Sequence, residues 1–150
     1  MRHADSVAIV TGAGQGIGKA IASKLASEGA AVAVVEINDT LGRQTVQELE
    51  GRGARARFVH ADITDFEQVQ GAFSEVAVKL GAVTLLVNNA AFSDAGSLET
   101  MSLDSWHREI EINLNGTYHC VRAIVPALRA RGGGSIINIA SVNALRYFGN

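Results

Sequence analysis

The chain has 150 residues, 47% hydrophobic and 19% charged, with 16 Gly, 1 Pro and 1 Cys. Chains of this size bury roughly 70% of their unfolded surface, enough for one core. Thirteen Lys and Arg against fifteen Asp and Glu leave a net charge of -2, so no basic excess argues for nucleic acid or a membrane surface as partner. Cys120 stands alone, which excludes an internal disulfide, and no Cys/His spacing suits a metal. Hydrophobicity is spread evenly, without a membrane span, and Met1 to Asp5 carries no signal-peptide core. A soluble, cytoplasmic domain is the expectation.

In chain order, Val7 to Val10 is short, β-branched and followed by glycines, which reads as a buried strand. From Gly16 to about Gly29, Ile17, Ala20, Ile21 and Leu25 fall on one helix face, expected inward. Ala31 to Val35 is a second apolar run, closed by Glu36. Asp39 to Glu50 predicts a helix with Leu41, Val46 and Leu49 inward and Gly51 as its stop. Ala56 to His60 gives a third strand. Thr64-Asp65-Phe66-Glu67 has the form of a capping box, with Thr64 accepting from the N–H of Glu67. Phe66, Val69, Phe73, Val76 and Leu80 then recur at three and four as an apolar stripe. Val83 to Val87 is the fourth strand. A long helix runs from about Leu103 past Ala127, with Pro126 as a kink, and Ile136 to Ala140 is the fifth strand.

Apolar rather than alternating strands, each followed by a helix, imply a parallel sheet covered on both faces. Right-handed crossovers then lead to a doubly wound, Rossmann-like α/β fold of three layers, α/β/α. No repeat or linker interrupts it, so residues 1–150 read as a single nucleotide-binding domain.

Ligands of such sheets sit at the carboxyl ends of the strands. The first of these ends carries Thr11-Gly12-Ala13-Gly14-Gln15-Gly16-Ile17-Gly18. Its four glycines allow close backbone approach to a diphosphate at a helix N-terminus, or serve helix–strand packing. A strict G-x-G-x-x-G is absent, and Ala20 follows Gly18-Lys19 where a Walker loop needs Ser or Thr. Glu36, at the end of the second strand, is either a solvated acid or an acceptor for ribose hydroxyls that repels a 2′-phosphate. Gln15 in the loop is neutral and Arg43 lies further away, so the pattern favours NAD over NADP. Asp62 accepts from an adenine amino group or merely opens a turn. Of Asn88-Asn89, Asn88 reads as structural, and small Ala90 and Ala91 leave room for a flat ligand.

Thr11-Gly12 with Gly16-Ile17-Gly18, Asp62, Asn88-Asn89-Ala90, Asn113-Leu114-Asn115-Gly116 and Ile137-Asn138-Ile139-Ala140-Ser141 together resemble the short-chain dehydrogenase/reductase family. The resemblance spans the whole chain in order, with Ala91 where the family usually has Gly. It implies hydride transfer between NAD(P) and a small-molecule secondary alcohol or ketone, such as a sugar, polyol or 3-oxoacyl substrate. It places Gly12, Gly16, Gly18 and the backbone of Gln15 to Ile17 on the diphosphate, and Glu36 on the adenosine ribose. Asp62 and Ile63 fall to the adenine, and Asn89, Ala90 and Ala91 to the other ribose region. Ser141 would bond the substrate oxygen. Asn113, midway along the long helix, would distort it and hold a water of a proton relay. A homo-oligomer, dimer or tetramer, built through the long helix and its successor is also implied.

The family's acid/base is a Tyr with a Lys four residues later, on the helix after Ser141; the Lys lowers the phenol pKa. Tyr118 is followed by Arg122 instead, Tyr147 has no lysine partner and reads as a loop aromatic, and Lys19, Lys24 and Lys79 all lie upstream. The pair is therefore expected beyond Asn150, and these residues read as the front portion of a longer enzyme, inactive alone. The fifth strand should then present an open edge, and Ile110, Val121 and Ile124 should lack packing partners. Two other classes remain open. One is a nucleotide-binding module without chemistry; the other is an S-adenosylmethionine-dependent methyltransferase, whose donor also carries a ribose for an acid like Glu36.

Overall fold

The inner apolar runs pair edge to edge with helices covering both of their faces, and a fifth strand adds to one edge of the sheet. A computed structural model describes residues 1–94, 97 and 99–142. In order they form β1 (Val7–Thr11), α1 (Gly16–Ser27), β2 (Ala31–Glu36), α2 (Asp39–Glu50), β3 (Ala56–His60), α3 (Phe66–Leu80) and β4 (Leu85–Asn88). Then follow α4 (Leu103–Ile110), a π-helical segment (Glu111–Gly116), α5 (Thr117–Ala130) and β5 (Ser135–Asn138). The strands lie in the order β3-β2-β1-β4-β5 and every pair is parallel. This is the doubly wound arrangement, whose direction of winding reverses between β1 and β4.

Successive strand residues feed opposite layers, which explains why the strands do not alternate with polar residues. Val7, Ile9, Ala33 and Val35 join Val69, Phe73 and Val76 of α3 and Cys120, Ile124 and Leu128 of α5. Ala8, Val10, Val32 and Val34 join Ala22 and Ala26 of α1 and Val46 and Leu49 of α2. Each Val or Ile fully buried this way contributes about 1.5–3 kcal/mol.

Several expectations shift. The buried face of α1 is Gly18, Ala22 and Ala26, while Ile17 is 66% exposed and Ala20 is exposed. Small side chains let this helix lie close on the sheet, with Ile21 and Leu25 half-buried along its flank. Asp65, not Thr64, caps α3 by accepting from the N–H groups of Glu67 and Gln68. Thr64 is already engaged, because Asp62 Oδ1 accepts both its N–H at 2.9 Å and its hydroxyl at 2.8 Å. Gly51 stays right-handed at the end of α2, and the reversal falls at Gly53, with φ +81°. The long helix is broken by its π-helical segment, and α5 continues through Pro126 to Ala130. Ile124 is only 2% exposed against the core rather than stranded; Ile110 and Val121 are half-buried. β5 is mostly exposed, with Ile137 at 46%. Among the described residues no helix is long and apolar enough to cross a membrane.

Candidate active site

The turn between β1 and α1 approaches its neighbours too closely for side chains. Gly12 has φ +63°, and a Cβ there would stand 2.7 Å from the Ala90 Cα. Gly18 packs so that a Cβ would run into the Gly12 carbonyl and the Asn89 amide. Gly16, φ +55°, differs: a Cβ there would meet nothing within 4 Å. Gln15 precedes α1 in extended conformation and makes no capping bond with its side chain. The first N–H groups of this helix are thus left without a side-chain acceptor, which suits an anion.

Thr11 ties the turn to β4. Its hydroxyl accepts from the N–H groups of Asn89 and Ala90 at 3.0 and 3.1 Å and donates to the Val87 carbonyl at 3.4 Å. The Asn89 side-chain amide donates to the carbonyls of Thr11 and Gly12, at 3.0 and 3.2 Å. Both groups hold the ends of two central strands in register.

Glu36 ends β2 half-buried, with its carboxylate on backbone donors. Oε2 accepts from the Gly14 N–H at 3.0 Å, and Oε1 from Ile37 and Asn38 at 3.0 and 3.1 Å. A carboxylate offers about four acceptor directions, so one remains, on Oε2. Beside it, Asp39 bonds His60 Nδ1 at 2.7 Å and Arg43 at 3.3 Å. The His60 hydrogen bond, then Arg43, hold the Asp39 carboxyl below its usual range. Arg43 also lies 5.0 Å over the Phe58 ring and does not line the cleft.

A cleft of about 690 Å³ opens at the carboxyl ends of the strands. Gly12, Gln15, Glu36, Asp62, Ile63, Asn89, Ala90 and Ala91 line it, as do Ile37, Phe92, Arg108 and Ile112. Gly16, Ile17 and Gly18 adjoin it at the start of α1. Asp62 spends Oδ1 on Thr64. Ile63 is buried, and Gly116 lets the π-helical segment press on it, since a Cβ would come 2.6 Å from Ile63 Cδ1.

Asn113 and Ser141 do not line this cleft. Asn113 lies within the π-helical segment, where its side-chain amide pairs with the Phe92 backbone, accepting the N–H at 2.9 Å and donating to the carbonyl at 2.8 Å. Its own carbonyl accepts the Thr117 hydroxyl at 2.9 Å. Ser141 follows β5, exposed, three residues beyond Asn138. Asn88 holds that strand: its amide donates to Asn138 Oδ1 at 2.8 Å, its carbonyl takes the Ile139 N–H at 2.9 Å, and its own Oδ1 is buried without a partner among the described residues. Tyr147 falls outside the described residues.

Sequence reasoning missed Thr45, whose hydroxyl donates to the Gly14 carbonyl at 3.0 Å, and Arg108, stacked 4.1 Å over Phe92. A helical Thr and a helical Arg carry no local sign of either contact. Burial pushes the Cys120 thiol up to about 12, so it is no nucleophile. Among the described residues no group of His, Cys, Asp and Glu could hold a metal.

The trans-4-hydroxycyclohexanecarboxylate dehydrogenase of Sinomonas cyclohexanicum is 38% identical over 99% of this chain and 60% of its own length. A short chain dehydrogenase/reductase from Burkholderia phymatum, solved in complex with NAD, is 33% identical and superposes with a TM-score of 0.92 over 97% of this chain and 52% of that one. An actinorhodin polyketide ketoreductase solved with NADPH is also 33% identical, with a TM-score of 0.91 over 97% of this chain and 57% of that one. The chain thus spans little more than half the length of these relatives. The short chain dehydrogenase family model matches residues 6–150, and the chain belongs to that family.

Proposed function

We propose that the protein is an oxidoreductase transferring hydride between a nicotinamide coenzyme and a small secondary alcohol or ketone, with NAD preferred over NADP. These 150 residues would form its coenzyme-binding front portion. One observation carries the reading: Glu36 stands on the wall of the cleft that the glycine turn opens, with its carboxylate bonded to Gly14. The room at Gly16, the uncapped start of α1 and the apolar slot of Ile37, Ile63, Ala90 and Ile112 fit a dinucleotide.

When bound, such a coenzyme supplies the hydride acceptor or donor. The backbone of Gln15 to Ile17 offers N–H groups and helix dipole to the diphosphate. Glu36 accepts one ribose hydroxyl on the remaining direction of Oε2 and repels a 2′-phosphate. Asp62 keeps Oδ2 for the adenine amino group, beside Ile63. Asn89, its amide committed to the glycine turn, acts at the second ribose region through its backbone with Ala90 and Ala91. Ser141 bonds the substrate oxygen. With the Asn113 side chain held by Phe92, its carbonyl is the group left to hold a water, through the lone pair that Thr117 does not use.

The proton exchanged with the substrate oxygen would fall to a Tyr–Lys pair of the kind the family uses; Tyr118, followed by Arg122, is not that pair. Leu103, Trp106, Leu114 and Tyr118 are exposed at spacings that put them along α4, the π-helical segment and α5, which supports pairing with a second copy.

Titration of the protein with NADH, NADPH and S-adenosylmethionine tests the reading. NADH should bind best, and Glu36→Ala should narrow its advantage over NADPH. An unchanged preference in that variant would acquit the carboxylate as selector; binding of the methyl donor alone would reject the redox assignment. Activity appearing only in a longer form would separate an enzyme from a nucleotide-binding module.

A further inference from the structure

Gly14 is gripped on both sides by side chains from outside its own turn, one on each of the two peptide groups that it joins. Its N–H donates to Glu36 Oε2 at 3.0 Å, and its carbonyl accepts from Thr45 Oγ1 at 3.0 Å. Thr45 sits in α2, 31 residues further on, fully buried and absent from the cleft wall. A helical Thr commonly bonds a carbonyl one turn back in its own helix; this one donates across to the loop. There is no slack around the peptide. A Cβ at Gly14 would stand 2.8 Å from Leu41 Cβ and 2.9 Å from Glu36 Oε2. One helix therefore presses on the turn with Leu41 and holds it with Thr45. The Lys19–Glu48 ion pair, at 2.7 Å, ties the same helix to α1 just beyond the turn.

We infer that Thr45 is a positioning residue for the diphosphate of the coenzyme, acting through the Gly14–Gln15 peptide. Thr45 fixes the Gly14–Gln15 peptide, whose N–H is that of Gln15, while Glu36 fixes the Ala13–Gly14 peptide before it, and the two together set the direction in which the N–H groups of Gln15, Gly16 and Ile17 follow. Glu36 then has two tasks, one on the ribose side and one on the loop, while Thr45 has only the second. The inference rests on the coenzyme reading above. It makes a distinct demand: Glu36 separates NADH from NADPH, whereas Thr45 must act on both alike, because both carry the same diphosphate.

The experiment is fluorescence titration of the intact protein, its Thr45→Val, Thr45→Ala and Thr45→Ser variants, with NADH and with NADPH, alongside thermal midpoints. Val keeps the shape and loses the donor; Ala loses it without placing a methyl against the carbonyl; Ser retains it. Losing one such bond should weaken each coenzyme by up to about tenfold, with the NADH/NADPH ratio unchanged. Ser should restore binding. The inference is overturned if Val and Ala lower only the midpoint and leave both affinities intact, if they shift the ratio, or if Ser binds as poorly as they do. Should the unaltered protein bind neither coenzyme, the proposed function falls first and this inference with it.

Discussion

β2 and β5 are both short apolar runs, yet one is buried almost throughout and the other is largely exposed. The difference lies in their neighbours. β2 has β1 and β3 on its edges, and its residues feed both core layers. Among the described residues β5 pairs with β4 alone, and Ile137 and Ile139 are 46% and 39% exposed. The two ends of the candidate site inherit this contrast. At the β1–β2 end, Glu36 of β2, Thr45 of α2 and Asn89 just after β4 all bond the glycine turn. At the β5 end, the strand that leads to Ser141 is fastened, among the described residues, along one edge, by Asn88 to Asn138 and Ile139. Preorganisation here is a matter of how many elements surround a residue, not of how apolar its strand is.

Truncations on adjacent strands should expose that contrast most strongly. Leu86 in β4 is fully buried, and Leu86→Ala should cost about 3 kcal/mol through lost burial and a cavity. On the neighbouring strand, where Val87 pairs with Ile137, Ile137→Ala should cost about 1 kcal/mol or less. Urea midpoints measure both. Equal losses would mean that β5 is covered as well as β4 and would dissolve the comparison. Two helical glycines sharpen it on a smaller scale. Gly18→Ala drives a methyl into the Gly12 carbonyl and should destabilise by about 2 kcal/mol while weakening NADH binding. Gly71, exposed in α3 with nothing within 4 Å of where a Cβ would stand, should instead gain about 0.5–1 kcal/mol as Ala. A gain at Gly18 would show that the turn has room for side chains after all.

What the sequence disclosed follows from the same physics. Unbroken apolar strands and turn glycines announced a parallel sheet, since periodicity and backbone freedom act locally. The carboxylate at the end of β2 was legible because a strand end fixes its direction. Thr45 was not, because a bond spanning 31 residues leaves no trace in its neighbourhood. Nor could spacing place the inward face of α1. Ile17 and Ala20 satisfy a helical stripe, but close packing selected Gly18, Ala22 and Ala26 instead. The cap of α3 slipped by one residue because of a competing local turn: Asp62, two residues upstream and facing the cleft, had already taken Thr64.

That cap permits the finest test. The N–H of Gln68, then its side-chain amide and the N–H of Glu67, hold the Asp65 carboxyl below its usual value. A carboxyl depressed in the fold gives its full stabilisation above its unfolded pKa, about 3.9, and loses it as pH falls through the lower folded value. Asn caps nearly as well but does not titrate. Asp65→Asn should therefore change stability little at neutral pH, yet flatten its fall below about pH 4. The flattening should be partial, since Glu28, Asp39 and Glu48 are also depressed, chiefly by Lys24, His60 and Lys19. Asp39 and Asp65 are exposed and Glu28 and Glu48 only half-buried, so the effect is small and screened by salt. Denaturation midpoints across that range at low ionic strength resolve it. An acid limb identical to that of the unaltered protein would return the cap to Thr64, and with it free Asp62 from the turn that now occupies half its carboxylate.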